Sequence, residues 1–262
     1  IDFIPIVLND RFRSFEVFPC AGMIFDSMHG FVVSAVGRKQ YVYRIFDKSI
    51  QIGPPKLVFF GKVTNIIICL HLKDIVFRHA ITRDVIMHIH EDDSDVEYTT
   101  GILATGGKKF LTGTSKGIVS IFNCLNGTHL MDIAVSSASL MKLIHLCHKN
   151  IIIVDGNSDL LIVDDESGQC LRSCSKSFDS EIKLLDASYK LGLISTYDND
   201  GVLNLFDYEY CSLICSTDNM AKLDVSQMAF MDTYPCLLIK TRYSFLLLTF
   251  DCLNKKKSLV DA

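Results

Sequence analysis

The 262-residue chain contains no tryptophan, only five prolines and 15 glycines, and no apolar run longer than a strand. A membrane helix needs about 18 to 20 uncharged residues, whereas the longest stretches here are of the size of Ile66-Ile67-Ile68-Cys69-Leu70 or Leu246-Leu247-Leu248. No membrane segment is therefore expected. No window carries an apolar stripe of 3.6-residue period over three turns, which argues against helical architecture. Positive charge is also scarce: Lys and Arg total 26 against 30 Asp and Glu, a net charge of −4. That is the wrong sign for a domain that grips phosphate backbones, so RNA is expected to be met only indirectly. The sequence lacks a Gly-x-Ser-x-Gly elbow, a Gly-x4-Gly-Lys phosphate loop, a His-Glu-x-x-His helix and a dinucleotide fingerprint, and with them the commonest sequence signs of catalysis.

What is present is apolar material. Hydrophobic residues make up 49% and charged residues 21%, with a mean hydropathy of +0.28, a composition that folds rather than staying disordered. At roughly 150 residues per domain the length allows one or two units, and residues 1–262 read as one. The chain opens Ile1-Asp2-Phe3 without a basic segment leading into an apolar one, so no signal peptide is expected, and the natural start is expected to lie elsewhere. Ten cysteines are spread through strand-like segments, as at Cys69, Cys147 and Cys236, which reads as reduced, buried thiols in an intracellular protein. Nucleolar and cytoplasmic locations both remain open.

One phrase recurs: alternating apolar residues, an aromatic, then Asp or Asn. It appears as Tyr41-Val42-Tyr43-Arg44-Ile45-Phe46-Asp47, Ile118-Val119-Ser120-Ile121-Phe122-Asn123, Val202-Leu203-Asn204-Leu205-Phe206-Asp207 and Leu246-Leu247-Leu248-Thr249-Phe250-Asp251. Weaker copies close at Glu91 and Asp165. Closing positions 47, 91, 123, 165, 207 and 251 are thus 44, 32, 42, 42 and 44 residues apart. A second apolar run and a polar turn precede most copies, as in Phe110-Leu111-Thr112-Gly113 before Ser115-Lys116-Gly117, and Leu193-Ile194-Ser195 before Asp198-Asn199-Asp200-Gly201. These are hairpin signals. A further turn, such as Asn126-Gly127 or Ser167-Gly168, leads into another short strand.

Four antiparallel strands per unit of about 42 residues is the size of a β-propeller blade. The expected fold is all-β, a propeller of six four-stranded blades, with seven as the alternative count. Phe3-Ile4-Pro5-Ile6-Val7-Leu8 is expected to complete the last sheet and leave no open edge. The acidic run Glu91–Glu97 reads as a solvated loop between strands.

These residues resemble the WD40 family, whose repeat ends its third strand in Trp-Asp and carries an Asp in the preceding hairpin. Phe46, Phe122, Phe206 and Phe250 stand in the tryptophan slot, followed by Asp47, Asn123, Asp207 and Asp251. The hairpin Asp is matched by Asp84 and Asp200, with Gln40, Lys116, Ser158 and Ser244 elsewhere. The resemblance implies a propeller whose polar Asp-His-Ser-Trp network is largely missing. Phe31–Tyr43, followed by Asp74-Ile75-Val76-Phe77, is similar to the opening blades of tandem-propeller WD40 subunits of the small-subunit processome. Ala229–Leu238 resembles a phrase of divergent protist and ciliary WD40 proteins.

Candidate chemistry is sparse. Cys170 with Cys174, and Cys211 with Cys215, are i,i+4 pairs on strands, about 13 Å apart along one face, and read as repeat-related packing positions. His88 and His90 could ligate zinc from one strand face, as could His145 with His148, but no third ligand is visible. Asp186 and Asp224 are the carboxylates nearest first strands, without a matched residue in every unit. Lys255–Lys257 reads as a solvated tail. No catalytic residue, metal ligand or cofactor is expected. The sequence points to a non-catalytic interaction scaffold within a multi-subunit protein complex, first in ribosome assembly, with a ciliary or cytoskeletal assembly or a metal-dependent propeller enzyme as alternatives.

Overall fold

The computed structural model describes the backbone of residues 3–6, 16–17, 23–26, 31–36 and 39–44. It describes residues 55–249 in full apart from 62–63, 81, 83, 147–149, 175–179, 218–219, 221–222, 232–234 and 243. The described residues form 24 strands and no helix. After β1 (Phe3–Ile6) come β2 (Glu16–Val17), β3 (Met23–Asp26), β4 (Phe31–Val36) and β5 (Lys39–Arg44), the first sheet. The second is β6 (Leu57–Gly61), β7 (Ile66–Leu70), β8 (Asp74–His79) and β9 (Val85–His90). The third is β10 (Tyr98–Leu103), β11 (Lys109–Thr114), β12 (Ile118–Asn123) and β13 (His129–Ala134). The fourth is β14 (Leu140–His145), β15 (Asn150–Asp155), β16 (Leu160–Asp164) and β17 (Cys170–Cys174). The fifth is β18 (Ile182–Ser188), β19 (Leu193–Asp198), β20 (Leu203–Asp207) and β21 (Leu213–Thr217). The last joins β22 (Val225–Met231), β23 (Cys236–Thr241) and β24 (Phe245–Thr249) to β1, with Phe3 opposite Leu248 and Ile6 opposite Phe245.

Each sheet is a meander in which chain neighbours pair antiparallel, the arrangement that short turns between apolar runs dictate. First strands of successive sheets touch in order, β6 to β10, β10 to β14, β14 to β18 and β18 to β22. Apolar clusters fill the spaces between these five sheets. Phe77, Phe110 and Phe122 lie between the second and third, Leu111, Ile121 and Ile151 between the third and fourth, Ile162, Ile194 and Phe206 between the fourth and fifth, and Leu205, Leu237 and Leu248 between the fifth and last. Because both faces of a sheet are covered, middle strands such as β7 and β19 are buried along their whole length. This explains their unbroken apolar sequences. Outer strands β9, β13, β17 and β21 are largely exposed. Each fully buried aliphatic or aromatic side chain here contributes about 1.5 to 3 kcal/mol.

The all-β reading and its four-stranded repeat unit stand. Three details are corrected. Lys39–Arg44 and Val85–His90 are the outermost strands of their sheets, not the third strands, so the first two copies of the phrase are displaced by one strand. In the second sheet the closing residue is His79, which pairs with Ile66 as Asn123 pairs with Lys109. In the fourth sheet it is Asp164, which ends β16 opposite Asn150, rather than Asp165. Closing residues His79, Asn123, Asp164 and Asp207 are 44, 41 and 43 apart, and the short interval vanishes. Cys211 precedes β21 and lies in a turn rather than on the strand.

The acidic run does form the connection between β9 and β10. The Lys73 ammonium anchors it by donating to the carbonyls of Asp93 at 2.8 Å, Ser94 at 2.6 Å and Val96 at 2.5 Å.

Candidate interaction surface

The closing residues build turns. Asp207 Oδ1 accepts from the N–H groups of Glu209 at 2.9 Å and Tyr210 at 3.0 Å, Asp164 Oδ1 from those of Glu166 and Ser167, and Asn123 Oδ1 from that of Leu125 at 2.8 Å. A short side-chain acceptor at this point mimics a backbone turn. Phe122 and Phe206, one residue earlier, are buried core side chains. Asp200 is exposed at the tip of the β19–β20 hairpin. Asp84 lies in the β8–β9 connection, not in the preceding hairpin. Phe46, Asp47, Phe250 and Asp251 lie outside the described residues.

The groups that close the hairpins sit two or three residues earlier than the sequence suggests, at the ends of second strands. Asp198 Oδ1 accepts from Val202 N–H at 2.8 Å and Asp155 Oδ1 from Asp159 N–H at 3.0 Å, while Thr114 Oγ1 accepts from Ile118 N–H at 3.1 Å. All three are buried. Asp155 also accepts from Ser136 Oγ at 2.5 Å, fixing the connection between the third and fourth sheets. A buried polar residue ending an apolar run four residues before the next was the available signal.

Other polar groups tie neighbouring sheets. Asp165 Oδ2 is 3.2 Å from both Lys109 Nζ and His145 Nε2, and His145 Nδ1 accepts from Thr105 N–H at 3.1 Å. Asp186 on β18 accepts from Phe230 N–H on β22 at 2.6 Å, and Asp224 lies exposed just before β22. The two carboxylates therefore do not converge. His88 and His90 do share a strand face, but each ring lies 2.8 Å from the same Asp74 oxygen, so their partner is a carboxylate. His148 lies outside the described residues. Among the described residues no group of three His, Cys, Asp or Glu is placed to hold a metal ion.

The histidine pair has a titration consequence. Burial pushes the Asp74 carboxyl up, but hydrogen bonds from His90 and His88 and their charges outweigh it and hold the group below its ordinary 3.8. A depressed folded pKa gives stability that is complete above the unfolded value and lost as pH falls through the folded one. Below about pH 4 the melting temperature of Asp74→Asn is expected to fall less steeply than that of the parent. Parallel acid-side slopes in a thermal titration would refute this.

The surface feature that repeats is on the outer strands. The second residue of β9, β13, β17 and β21 is in turn Ile86, Leu130, Leu171 and Ile214, exposed by 37%, 49%, 46% and 44%. They occupy equal register, each following the residue that pairs just past a bulge: Val85 with Arg78, His129 with Phe122, Cys170 with Val163 and Leu213 with Phe206. Isolated exposed aliphatics are ordinary, but a row at one register on four successive strands is a patterned surface. It is richest at β21, where Leu213, Ile214 and Tyr210, the last 73% exposed, surround a strand without a charged residue. Edge strands commonly carry charges that discourage pairing, and this one does not.

Beside it, between the fourth and fifth sheets, opens a cavity of about 460 Å³ lined by Asn150, Arg172, Tyr189, Tyr208 and Glu209. The Arg172 guanidinium lies 5.9 Å from the Tyr208 ring centre, and the Tyr189 ring meets Tyr208 edge-on at 5.8 Å. Asn150 Nδ2 donates to the buried Tyr208 hydroxyl. The groove thus combines aromatic walls with a cation.

No protein-family model matches the sequence, and no curated protein matches it. Solved structures do. The chain superposes on the computationally designed Ika8 protein with a TM-score of 0.65 at 15% identity, covering 88% of this chain and 70% of that one. It superposes on a chain of the mitotic checkpoint complex with a TM-score of 0.59 at 15% identity, covering 89% and 69%. The likeness fits a fold of repeated antiparallel four-stranded sheets. At such identity it speaks for the fold alone. No helix among the described residues is long and apolar enough to cross a membrane.

Proposed function

We propose that the chain is a non-catalytic protein-interaction scaffold: a WD40-like propeller of six blades, closed by β1 on the last blade, which docks other proteins of a multi-subunit assembly on its outer strands. The observation that carries this reading is the row Ile86, Leu130, Leu171 and Ile214, together with the uncharged edge strand at Leu213–Thr217. The mitotic checkpoint complex, a multi-protein assembly by its name, supports the class of partner. Antiparallel pairing of β1 with β24 supports ring closure, because it places strands from both ends of the chain in one sheet.

A chain carrying Leu171→Ser, Tyr210→Ser and Ile214→Ser is expected to melt within about 2 °C of the parent, since exposed substitutions change stability little. In affinity purification from native cells it should lose the proteins that the parent retains. An unchanged set of retained proteins, or a metabolite turned over by the purified chain, would sink the reading. The hairpin at Phe31–Tyr43 makes the small-subunit processome the first assembly to test. Its proteins and pre-ribosomal RNA among the retained species would support that choice, and tubulin or axonemal proteins would favour the ciliary alternative.

A further inference from the structure

We propose that Cys174 and Cys211 form a thiol pair that closes, on mild oxidation, into a disulfide linking the fourth and fifth sheets. The repeat itself supplies the geometry. Cys211 follows Asp207 by four residues as Gly168 follows Asp164, and Cys174 follows Asp164 by ten as Ile133 follows Asn123. One sheet earlier, a Cβ added to Gly168 would stand 3.8 Å from the Cβ of Ile133, which is the mean Cβ separation across a disulfide, about 3.8 Å. Cys211 accordingly packs against the cluster in which Cys174 is buried, and the two side chains hydrogen-bond.

The position of Cys211 is not one that favours a cysteine. The equivalent turns carry Gly127 and Gly168 at φ of 69° and 71°, whereas Cys211 adopts φ 51°, a region that side-chain-bearing residues enter at a cost. A thiol stands where glycine would be easier, and it faces another thiol.

The two sulfurs also differ in character. The hydrogen bond to Cys211 and burial hold the Cys174 thiol up, while the bond accepted from Cys174 and the charge of Arg172 hold Cys211 down. Elsewhere burial pushes Cys69 and Cys124 up to about 12, the mark of inert structural thiols. Cys174 is buried and Cys211 is partly exposed, so a peroxide arriving from solvent reaches Cys211 first, and Cys211 is the attacking sulfur. With hydrogen peroxide as oxidant, its thiolate attacks one oxygen, the O–O bond breaks and hydroxide leaves, giving a sulfenic acid. The Cys174 sulfur then attacks that sulfur, the S–O bond breaks, and water leaves with the Cys174 proton. Two thiols and one peroxide become one disulfide and two waters.

The test is non-reducing peptide mapping of the purified chain after one equivalent of hydrogen peroxide and alkylation of residual thiols. A Cys174–Cys211 cross-linked peptide, two hydrogens lighter than its components and released by dithiothreitol, is expected in the parent and in Cys215→Ser. Cys211→Gly, which restores the residue of the equivalent turns, should fold and leave Cys174 alkylated. Oxidation should raise the melting temperature of the parent by a few degrees and that of Cys211→Gly not at all. Recovery of both thiols alkylated in the treated parent, or pairing of either with Cys170 or Cys215 instead, would overturn the proposal.

Discussion

Replacing Gly117 by alanine is expected to lower stability by about 3 to 5 kcal/mol, a large part of the 5 to 15 kcal/mol typical of a folded domain. The glycine sits in the β11–β12 hairpin at φ +76°, and an added Cβ would lie 2.0 Å from the Ser136 carbonyl oxygen and 2.6 Å from its carbon. That carbonyl belongs to the connection that carries the chain from the third sheet to the fourth, and Val135 and Ser136 both donate their N–H groups to the Gly117 carbonyl, at 3.0 Å and 3.2 Å. The connection cannot retreat without losing these bonds and the Ser136 bond to Asp155. Gly106→Ala is the control. Its φ is +94°, but nothing lies within 4 Å of the new Cβ, so only the backbone term of about 1 to 2 kcal/mol applies. Equal losses in urea denaturation of the two variants would show that the strap does not press on Gly117.

The second large effect is expected at Phe110. Its ring packs 5.1 Å from Phe59 and edge-on at 6.1 Å from Phe77, and it covers Gly101, whose added Cβ would meet the ring at 3.0 Å. Phe110→Ala would leave a cavity between the second and third sheets, at a cost of about 3 to 5 kcal/mol. Tyr210→Ala, at an exposed tip, should cost about 0.5 kcal/mol or less. Urea midpoints should separate the two at unchanged slope. A loss of under about 1 kcal/mol at Phe110 would contradict face-to-face packing of the sheets.

The strand periodicity was legible because middle strands bury both faces and third strands end in an acceptor that starts a turn, as at Asn123 and Asp207. The reading slipped where that signal moved. β8 ends in His79 rather than Asp or Asn, while the neighbouring outer strand β9 alternates too and runs into Glu91, so the outer strand took the place of the third. The same kind of slip affected the cysteines. Pairing Cys170 with Cys211 at a spacing of 41 aligned a strand residue with a turn residue, whereas the true offset between the fourth and fifth sheets, Asp164 to Asp207, is 43. The outer row could not be read at all, since its common register depends on bulges at Leu130, Leu171 and Ile214 themselves, which leave no mark in composition.

The grip of Lys73 changes what the acidic stretch can do. Its ammonium is occupied by main-chain oxygens, so the carboxylates of Asp92 and Asp95 keep their charge directed outward from a backbone already immobilised. Added salt should screen the repulsion among these exposed carboxylates while leaving the loop itself in place.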